Sequence, residues 1–436
     1  MILQEAEEPS ESCVCAEPSG LTRGFVALQH RSFRWLFLSS ITSGIGGQLQ
    51  NTANLWQIFA LTGSPVHLGL TGLVRAIPII FFSLIGGVIA DRFDRRKIII
   101  ATQASNGIVA ITLGILSFTG LVEVWHIYAA TFLNATLMSA SAPARRAVIA
   151  SIVPRHHLMN AMALNSSVQQ IDRIIAPSLG GILIAVFGLP LTYVVNGSAH
   201  FITACALGFI SLGPVQARPQ GSPLRNLLEG LAFVQQRRII LVLLLTDVVA
   251  MLFGSYQVLL PILADRFDVG PAGFGFLSSA AAAGSLIAVT IVMYLGDFPY
   301  KGRLIAGAVL AYCGFLVALA LAPWFGLALL ATAGLGFSDS MQASPRNAMI
   351  QLMTPDALRG RVSSFQQMLV AGGPALGQGF MGAAAGVVGA PVALIAGASA
   401  CALIIVVMLV RIPALRARDV GSVAEPAPVA SPVAAG

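Results

Sequence analysis

The chain has 436 residues, of which 56% are hydrophobic and only 10% are charged. Soluble domains carry about 25% charged residues, so this composition excludes a soluble globular protein and an intrinsically disordered chain. The net charge of +7 is spread over short loops instead of one basic face, which excludes a nucleic-acid-binding protein. We therefore predict an integral membrane protein.

Twelve segments have the length of about 20 mostly apolar residues that a helix needs to cross a bilayer. In the first half they are residues 35–61, 68–90, 98–119, 124–142, 160–187 and 190–212. In the second half they are residues 238–263, 272–295, 304–322, 324–342, 362–388 and 390–410. The sequence therefore predicts an all-α membrane protein with twelve transmembrane helices in two six-helix bundles.

Polar segments divide the chain into five regions. We expect a disordered cytoplasmic tail at 1–22, an N-terminal bundle at 23–212, a cytoplasmic linker at 213–237, a C-terminal bundle at 238–412 and a second tail at 413–436. The first tail is acidic and has no apolar core, so it is not a signal peptide. In the linker, Ser222 and Pro223 are typical of a helix start, and leucines at helical spacing indicate an amphipathic helix on the membrane surface.

Basic residues indicate the orientation of the chain. With the N-terminus inside, all of the 25 Lys and Arg residues except Arg75, Arg173 and Arg266 fall on the cytoplasmic side. Short cytoplasmic loops retain positive charge during insertion. The asymmetry predicts an even number of crossings with both termini in the cytoplasm.

Two segments in equivalent positions of the two halves resemble each other. Residues 142–154 read APARRAVIASIVP, and residues 343–355 read ASPRNAMIQLMTP. Both lie in predicted cytoplasmic loops, and Arg145 matches Arg346. The match indicates a duplicated six-helix unit in parallel orientation, an arrangement typical of transporters whose halves rock.

The loop between spans 2 and 3 carries the sequence GVIADRFDRRK. It resembles the major facilitator superfamily signature GxxxDRxGR[RK], and its matching residues are Gly87, Asp91, Arg92, Arg95 and Arg96. Asp94 stands where the family has glycine, although Asp tolerates turn conformations. The resemblance implies a conformational latch in which Asp91 meets the start of span 11, near Arg361. The alternative is that the positive charge of this loop only fixes the orientation of the chain in the membrane.

Span 5 contains RIIAPSLGG, which is similar to the end of the family's antiporter motif, GPxxGG. Pro177, Gly180 and Gly181 match, and Ala176 replaces the first glycine. This resemblance implies export, although small residues and Pro also occur at ordinary membrane helix contacts. The segments FRWLFL, SAPARRA and EGLAFV most resemble the bacterial group of enterobactin exporters and macrolide-type multidrug efflux proteins.

Ionisable residues inside spans are costly in a bilayer and suggest function. Asp172 and Arg173 lie in span 5 and Asp247 lies in span 7, while Asp339 is expected to be interfacial. Either Asp172 or Asp247 could carry a coupling proton, with Arg173 as counter-ion or anchor for an anionic substrate. Buried structural ion pairs are the alternative, and for Arg75 we expect a structural or lipid-facing position.

Polar and adaptable apolar side chains on spans 1, 4 and 7 mark a candidate substrate cavity. They are Gln50, Asn54, Gln57, Thr131, Asn134, Met138, Met251, Phe253 and Gln257. The resemblance implies that these spans line the central cavity. Hydrogen bonds that join neighbouring helices are the alternative for each of them.

The leading hypothesis is a proton-coupled exporter of amphipathic small molecules, drugs or a siderophore, that works by alternating access. Import of a nutrient or metabolite is the alternative. No Walker-type GxxxxGK[ST] or catalytic motif occurs in the sequence, and a lone CxC is too little for a metal site, so we expect neither an enzyme nor a cofactor. The expected partners are a small-molecule substrate, protons and membrane lipids, for a monomer in a bacterial plasma membrane.

Overall fold

The computed structural model describes residues 20–92, 94–209, 223–296 and 300–411. Side chains are described within these ranges except those of residues 20–24, 83–92 and 223–227 and of the single residues 146, 150, 155, 238 and 357. Every regular element in this part of the chain is a helix. The predicted tails lie almost entirely outside it, as do residues 213–222 of the predicted linker.

The first half contains five long helices. They are α1 (Arg31–Thr62), α2 (Pro65–Arg92), α3 (Arg95–Phe118), α4 (Val124–Ile152) and α5 (Leu158–Gly208). Helix α5 covers two predicted spans, because Gly188 interrupts it with φ 78° and ψ 171°. Only glycine adopts this conformation readily, and Pro190 then favours a fresh helical turn.

The second half begins with a short helix and continues with longer ones. They are α6 (Pro223–Gln236), α7 (Arg238–Gly254), α8 (Leu260–Arg266), α9 (Gly270–Leu295), α10 (Lys301–Leu321), α11 (Phe325–Leu352), α12 (Asp356–Val388) and α13 (Ala390–Arg411). The predicted span 238–263 is therefore broken between α7 and α8. Pro261 explains the break, because it has no N–H for the preceding turn.

Helices α4 and α11 extend about three turns beyond the predicted ends of spans 4 and 10. The duplicated segments are therefore helical, which corrects their assignment to loops. Both helices end shortly before a proline, Pro154 or Pro355, because the residue before proline disfavours helical geometry. As a result, Arg145 and Arg346 lie inside helices.

Seven segments of the described residues are long and apolar enough to cross a membrane. The longest, Leu158–Gly208, has 51 residues and includes the break at Gly188. Helices α1, α4, α11 and α12 have 28 to 33 residues but carry many polar side chains. The total of twelve crossings stays a prediction.

Glycine contacts join the two halves at one end of the molecule. Gly181 on α5 lies so close to α9 that a Cβ atom there would be 3.0 Å from the Cα atom of Gly275. Likewise, a Cβ atom at Gly69 on α2 would be 2.8 Å from the Cα atom of Gly382 on α12. Such contacts need small residues. This closed end is where α2 and α9 begin and α12 ends.

Candidate functional site: a charged cavity between the halves

A cavity of about 600 Å³ lies between the two halves. Gln48 and Asn51 of α1 and Arg173 of α5 line it from the first half. Asp247 of α7 and Asp339 of α11 line it from the second half. Polar groups thus face apolar walls, which is the composition that small-molecule sites have.

The predicted polar stripe on α1 faces the interior of the first half. Gln50, Asn54 and Gln57 are all buried. Gln50 donates to Asn54 at 2.8 Å, Gln57 donates to Ser117 of α3 at 2.9 Å, and Tyr193 of α5 donates to Asn54 at 3.1 Å. The bonds to Ser117 and Tyr193 join α1 to other helices, in agreement with the alternative interpretation. The face of α1 that lines the cavity is a neighbouring one, with Gln48 and Asn51.

The other predicted cavity residues divide into two groups. Met251 and Gln257 line the cavity. Phe253 instead packs edge to face on Phe380 of α12, with ring centroids 5.4 Å apart. The remaining predicted residues lie on α4 and are not among the residues that line it: Thr131, which accepts a hydrogen bond from Asn54, Asn134 and Met138.

A buried ion pair connects α7 and α11. Arg346 donates to the carboxylate of Asp247, and both side chains are at most 5% exposed. Arg346 also donates to Gln342 at 2.7 Å, and Gln342 donates to Asp339 at 3.3 Å. These hydrogen bonds connect the buried ion pair, through Gln342, to the cavity surface, where Asp339 is exposed. Asp339 is thus part of the cavity wall.

Asp172 and Arg173 point in different directions, as adjacent residues on a helix must. Asp172 is 4% exposed and packs against Gly44 of α1. Its Oδ1 atom has no hydrogen-bond partner among the described residues. Arg173, in contrast, is exposed to the cavity. The structure therefore separates a buried carboxyl from a cavity-facing guanidinium.

Arg145, the counterpart of Arg346, also reaches the first helix of its own half. It donates to Ser43 of α1 at 3.3 Å. Gln103 of α3 donates to the same hydroxyl at 2.6 Å and contacts His200 of α5 at 3.0 Å. Sequence periodicity could not identify these contacts, because the arginine lies in an apparent loop and its partners lie on other helices.

The predicted latch is only partly described. The side chains of Gly87, Asp91 and Arg92 lie outside the described residues. Arg96 donates to the carbonyl oxygens of Leu207 at 3.1 Å and of Gly208, at the end of α5. Arg95 also has an interaction partner. The two described arginines therefore have partners within the protein, and Arg96 binds carbonyls that a helix end leaves free.

Asp94 begins helix α3. Its carboxylate accepts a hydrogen bond from the backbone N–H of Arg96 at 2.9 Å, which is the geometry of an N-cap. Its φ is −57°, so this position needs no glycine. Where the family signature has a flexible glycine, this chain therefore has an aspartate that caps a helix. At the start of α12, Arg361 forms an ion pair with Glu229 of α6.

The antiporter-like segment lies where α5 meets its neighbours. Pro177 lines the cavity. Gly180 faces Leu49 and Thr52 of α1, and Gly181 faces α9 in the opposite half. The segment therefore belongs both to the cavity wall and to the closed end.

Comparison with known proteins extends these observations. A family model described as "Transmembrane secretion effector" matches residues 22–435. The enterobactin exporter EntS of Shigella boydii serotype 18 (strain CDC 3083-94 / BS512) is 27% identical over 371 residues, which cover 85% of this chain and 88% of that protein. EntS of Escherichia coli O81 (strain ED1a) is 26% identical with the same coverage.

Solved transporter structures share the fold. The POT family transporter PepTSo has a TM-score of 0.70 at 13% identity, covering 89% of this chain and 99% of its own. A bacterial homolog of the human lysosomal transporter Spinster, in an inward-facing and unoccupied conformation, has a TM-score of 0.64 at 15% identity, covering 90% and 96%. The helices are therefore arranged as in these proteins.

Proposed function

The chain belongs to the transmembrane secretion effector family of the major facilitator superfamily, and from this premise we propose that it exports an amphipathic small molecule, such as a siderophore or a drug, in exchange for protons. It is a multi-pass transporter of a bacterial inner membrane and not an enzyme. The cavity between the halves, closed at one end by the glycine contacts, is the observation that carries the proposal.

Export of a siderophore is supported by the relatives, which are named enterobactin exporters. The antiporter-like segment Pro177, Gly180 and Gly181 adds support, because it lies at the contact between the halves. In the orientation that the basic loops predict, the closed end is the outer end. The cavity would then open to the cytoplasm and load its substrate there.

Asp172 and Asp247 are the two candidates for the proton carrier. Asp247 already has a cationic partner in Arg346, so it must lose that contact before it takes up a proton. Asp172 is buried without a basic partner among the described residues, and burial of an unpaired carboxyl favours its neutral form. We therefore propose Asp172 as the carrier in this conformation and Asp247 as a residue that responds when the halves move.

We also propose how the transporter is placed in the membrane. Both termini face the cytoplasm, in accord with the basic loops, and the transporter acts as a monomer. The latch of Gly87, Asp91, Arg92, Arg95 and Arg96 closes the cytoplasmic end in the alternate state. Membrane lipids contact the outer surface, where many large apolar side chains are exposed.

The test measures secretion and its energy source. Siderophore and drug accumulation is compared in cells with and without the gene, and flux is then measured in inside-out vesicles. We expect uptake into inside-out vesicles that collapses when a protonophore removes the proton gradient. Uptake only into right-side-out vesicles would support the alternative of an importer, and flux without any gradient dependence would exclude proton coupling.

A further inference from the structure

Three buried residues of the first half carry side-chain atoms that have no hydrogen-bond partner in the described part of the chain. These atoms are Nδ2 and Oδ1 of Asn106 on α3, and Oδ1 of Asn196 and Nε2 of His200 on α5. The three side chains are at most 2% exposed. A buried polar atom that stays without a partner is costly, and buried polar groups in native proteins bind a neighbour or an ordered water. These atoms therefore indicate a ligand inside the bundle.

Two of these atoms face the same glycine of α1. A Cβ atom at Gly46 would lie 2.9 Å from Oδ1 of Asn196 and 3.3 Å from Nε2 of His200. Asn196 and His200 are four residues apart, so their side chains lie on one face of α5. The glycine therefore lets both polar atoms lie beside one point of α1.

Asn106 lies at the same level of the bundle. It follows Gln103 by three residues on the same face of α3, and Gln103 contacts His200 at 3.0 Å. The next residue, Gly107, packs against the backbone of α5, where its Cβ atom would be 3.2 Å from the carbonyl oxygen of Gly197. These two contacts flank Asn106, and both reach the turn of α5 that carries the other two residues.

The hydrogen bonds of the neighbouring atoms determine what the ligand must offer. Gln103 donates to Ser43 at 2.6 Å, so its carbonyl oxygen is left to accept from Nδ1 of His200. A neutral imidazole with its proton on Nδ1 has Nε2 as an acceptor. Asn196 donates to Gln50 through its amide nitrogen, so its Oδ1 atom is also an acceptor. The ligand must therefore donate two hydrogen bonds.

Water is the ligand whose chemistry matches all three residues. It can donate to Nε2 of His200 and to Oδ1 of Asn196, and it can accept from the amide nitrogen of Asn106. Three hydrogen bonds are what a buried water typically makes. An anion cannot donate, and an ammonium ion cannot accept. The guanidinium of Arg145, which donates to Ser43 at 3.3 Å, further disfavours a cation in this place.

We propose that Asn106, Asn196 and His200, beside Gly46, bind one buried water molecule that donates to the histidine and to Asn196. The inference goes beyond the proposed function, because the site lies inside one half. None of these four residues is among those that line the cavity between the halves.

The water connects two separate groups of hydrogen bonds. One group begins at Asn196, which donates to Gln50 on α1. The other begins at His200, whose ring bonds to Gln103 on α3. A water between Asn196 and His200 therefore links the polar side chains of α1, α3 and α5, and this link helps the first half to move as one body.

Solid-state nuclear magnetic resonance of the full chain in lipid bilayers, with isotope-labelled histidine, tests the site. The chain has six histidines, and the signal of His200 is the one that disappears in His200→Gln. We expect magnetisation to transfer from water protons to Nε2 of His200, with the ring proton on Nδ1. No transfer from water, or a ring proton on Nε2, would overturn the proposal.

Two neighbouring glycines supply a matched pair of variants. Gly46→Ala places a methyl group against both acceptor atoms, so the transfer from water to His200 should be lost. Gly47→Ala is the control and should keep the wild-type signal, because nothing lies within 4 Å of a Cβ atom there. Transfer that survives in Gly46→Ala, or that is lost equally in both variants, would contradict the site. If Gly46→Ala does not fold, Asn196→Leu removes one acceptor instead, and a wild-type signal in that variant would contradict the site.

Discussion

Arg346 on α11 and Asp247 on α7 form a buried ion pair, and Arg145, the counterpart of Arg346 in the first half, donates to Ser43 on α1. In each half, the corresponding arginine of the two resembling segments thus binds the first long helix, α1 or α7. Among the described residues, only the arginine of the second half has a carboxylate at this contact. The two resembling segments thus place their arginines similarly but differ in the charge of the partner.

Removal of one partner of this ion pair is expected to destabilise the second half. Arg346→Ala should destabilise the protein by about 3 to 5 kcal/mol, because it leaves Asp247 buried without its cation. The double substitution Arg346→Met with Asp247→Leu should recover most of that loss. Thermal unfolding in detergent measures both effects. A double variant that is as unstable as the single variant would show that the pair itself is not the cause.

Asp172→Asn is expected to abolish proton-dependent flux while the protein still inserts and folds. Asn has nearly the same shape but cannot release a proton, and the carboxyl already has an oxygen without a partner. Flux under an imposed pH gradient is the measurement, and Asp356→Asn on the surface of α12 is the control. Wild-type flux in Asp172→Asn would exclude this residue as the carrier.

Asp247→Asn has a different expected result. Loss of its charge frees Arg346, so we expect slower flux with a smaller dependence on the gradient instead of complete loss. Initial rates at several gradients distinguish the two variants. Identical behaviour of Asp172→Asn and Asp247→Asn would contradict the separate roles.

The closed end should open when its glycine contact is enlarged. A leucine at Gly181 would overlap α9, where a Cβ atom already lies 3.1 Å from the Cα atom of Ala272. Overpacking of this kind costs about 1 to 3 kcal/mol, so Gly181→Leu should favour the alternate state. Modification of Gln257→Cys by a membrane-impermeant thiol reagent from outside should then increase. Gly314→Leu is the control, because nothing lies within 4 Å of a Cβ atom there.

A histidine cluster beside the end of α4 and the start of α5 is expected to respond to pH. The Nε2 atom of His30 lies 3.2 Å from Nδ1 of His157. Desolvation, His156 and His30 lower the pKa of His157 from its ordinary value. The folded state therefore binds fewer protons than the unfolded state, so this contact is stable at neutral pH and weakens as pH falls below about 6.5.

Hydrogen exchange of the backbone near residues 25–30, corrected for the intrinsic effect of pH, measures this weakening. Protection should fall between pH 7 and pH 5 in the wild type and change less in His30→Gln. The same loss of protection in both proteins would show that His30 does not take part.

Hydropathy predicted the helical membrane fold, because this signal is local in sequence. The cavity was harder to predict. A polar stripe identifies a face of α1 but not its neighbour, and the structure turns Gln50 inward while Gln48 lines the cavity. Arg346 was assigned to a loop because its polar sequence neighbours ended the apolar window. Its partner on α7 is distant in sequence, so only tertiary packing could reveal the pair.

The central claim is that the two halves close alternately at opposite ends of the cavity. Spin labels at Ser151 and Leu352, near the ends of α4 and α11, report on one end, and labels at Leu121 and Trp324 report on the other. The labels are placed in a chain whose five native cysteines are replaced, and distances are measured by pulsed electron resonance at two pH values. We predict that the first distance shortens as the second lengthens. Two distances that stay constant, or that change in the same direction, would contradict the account.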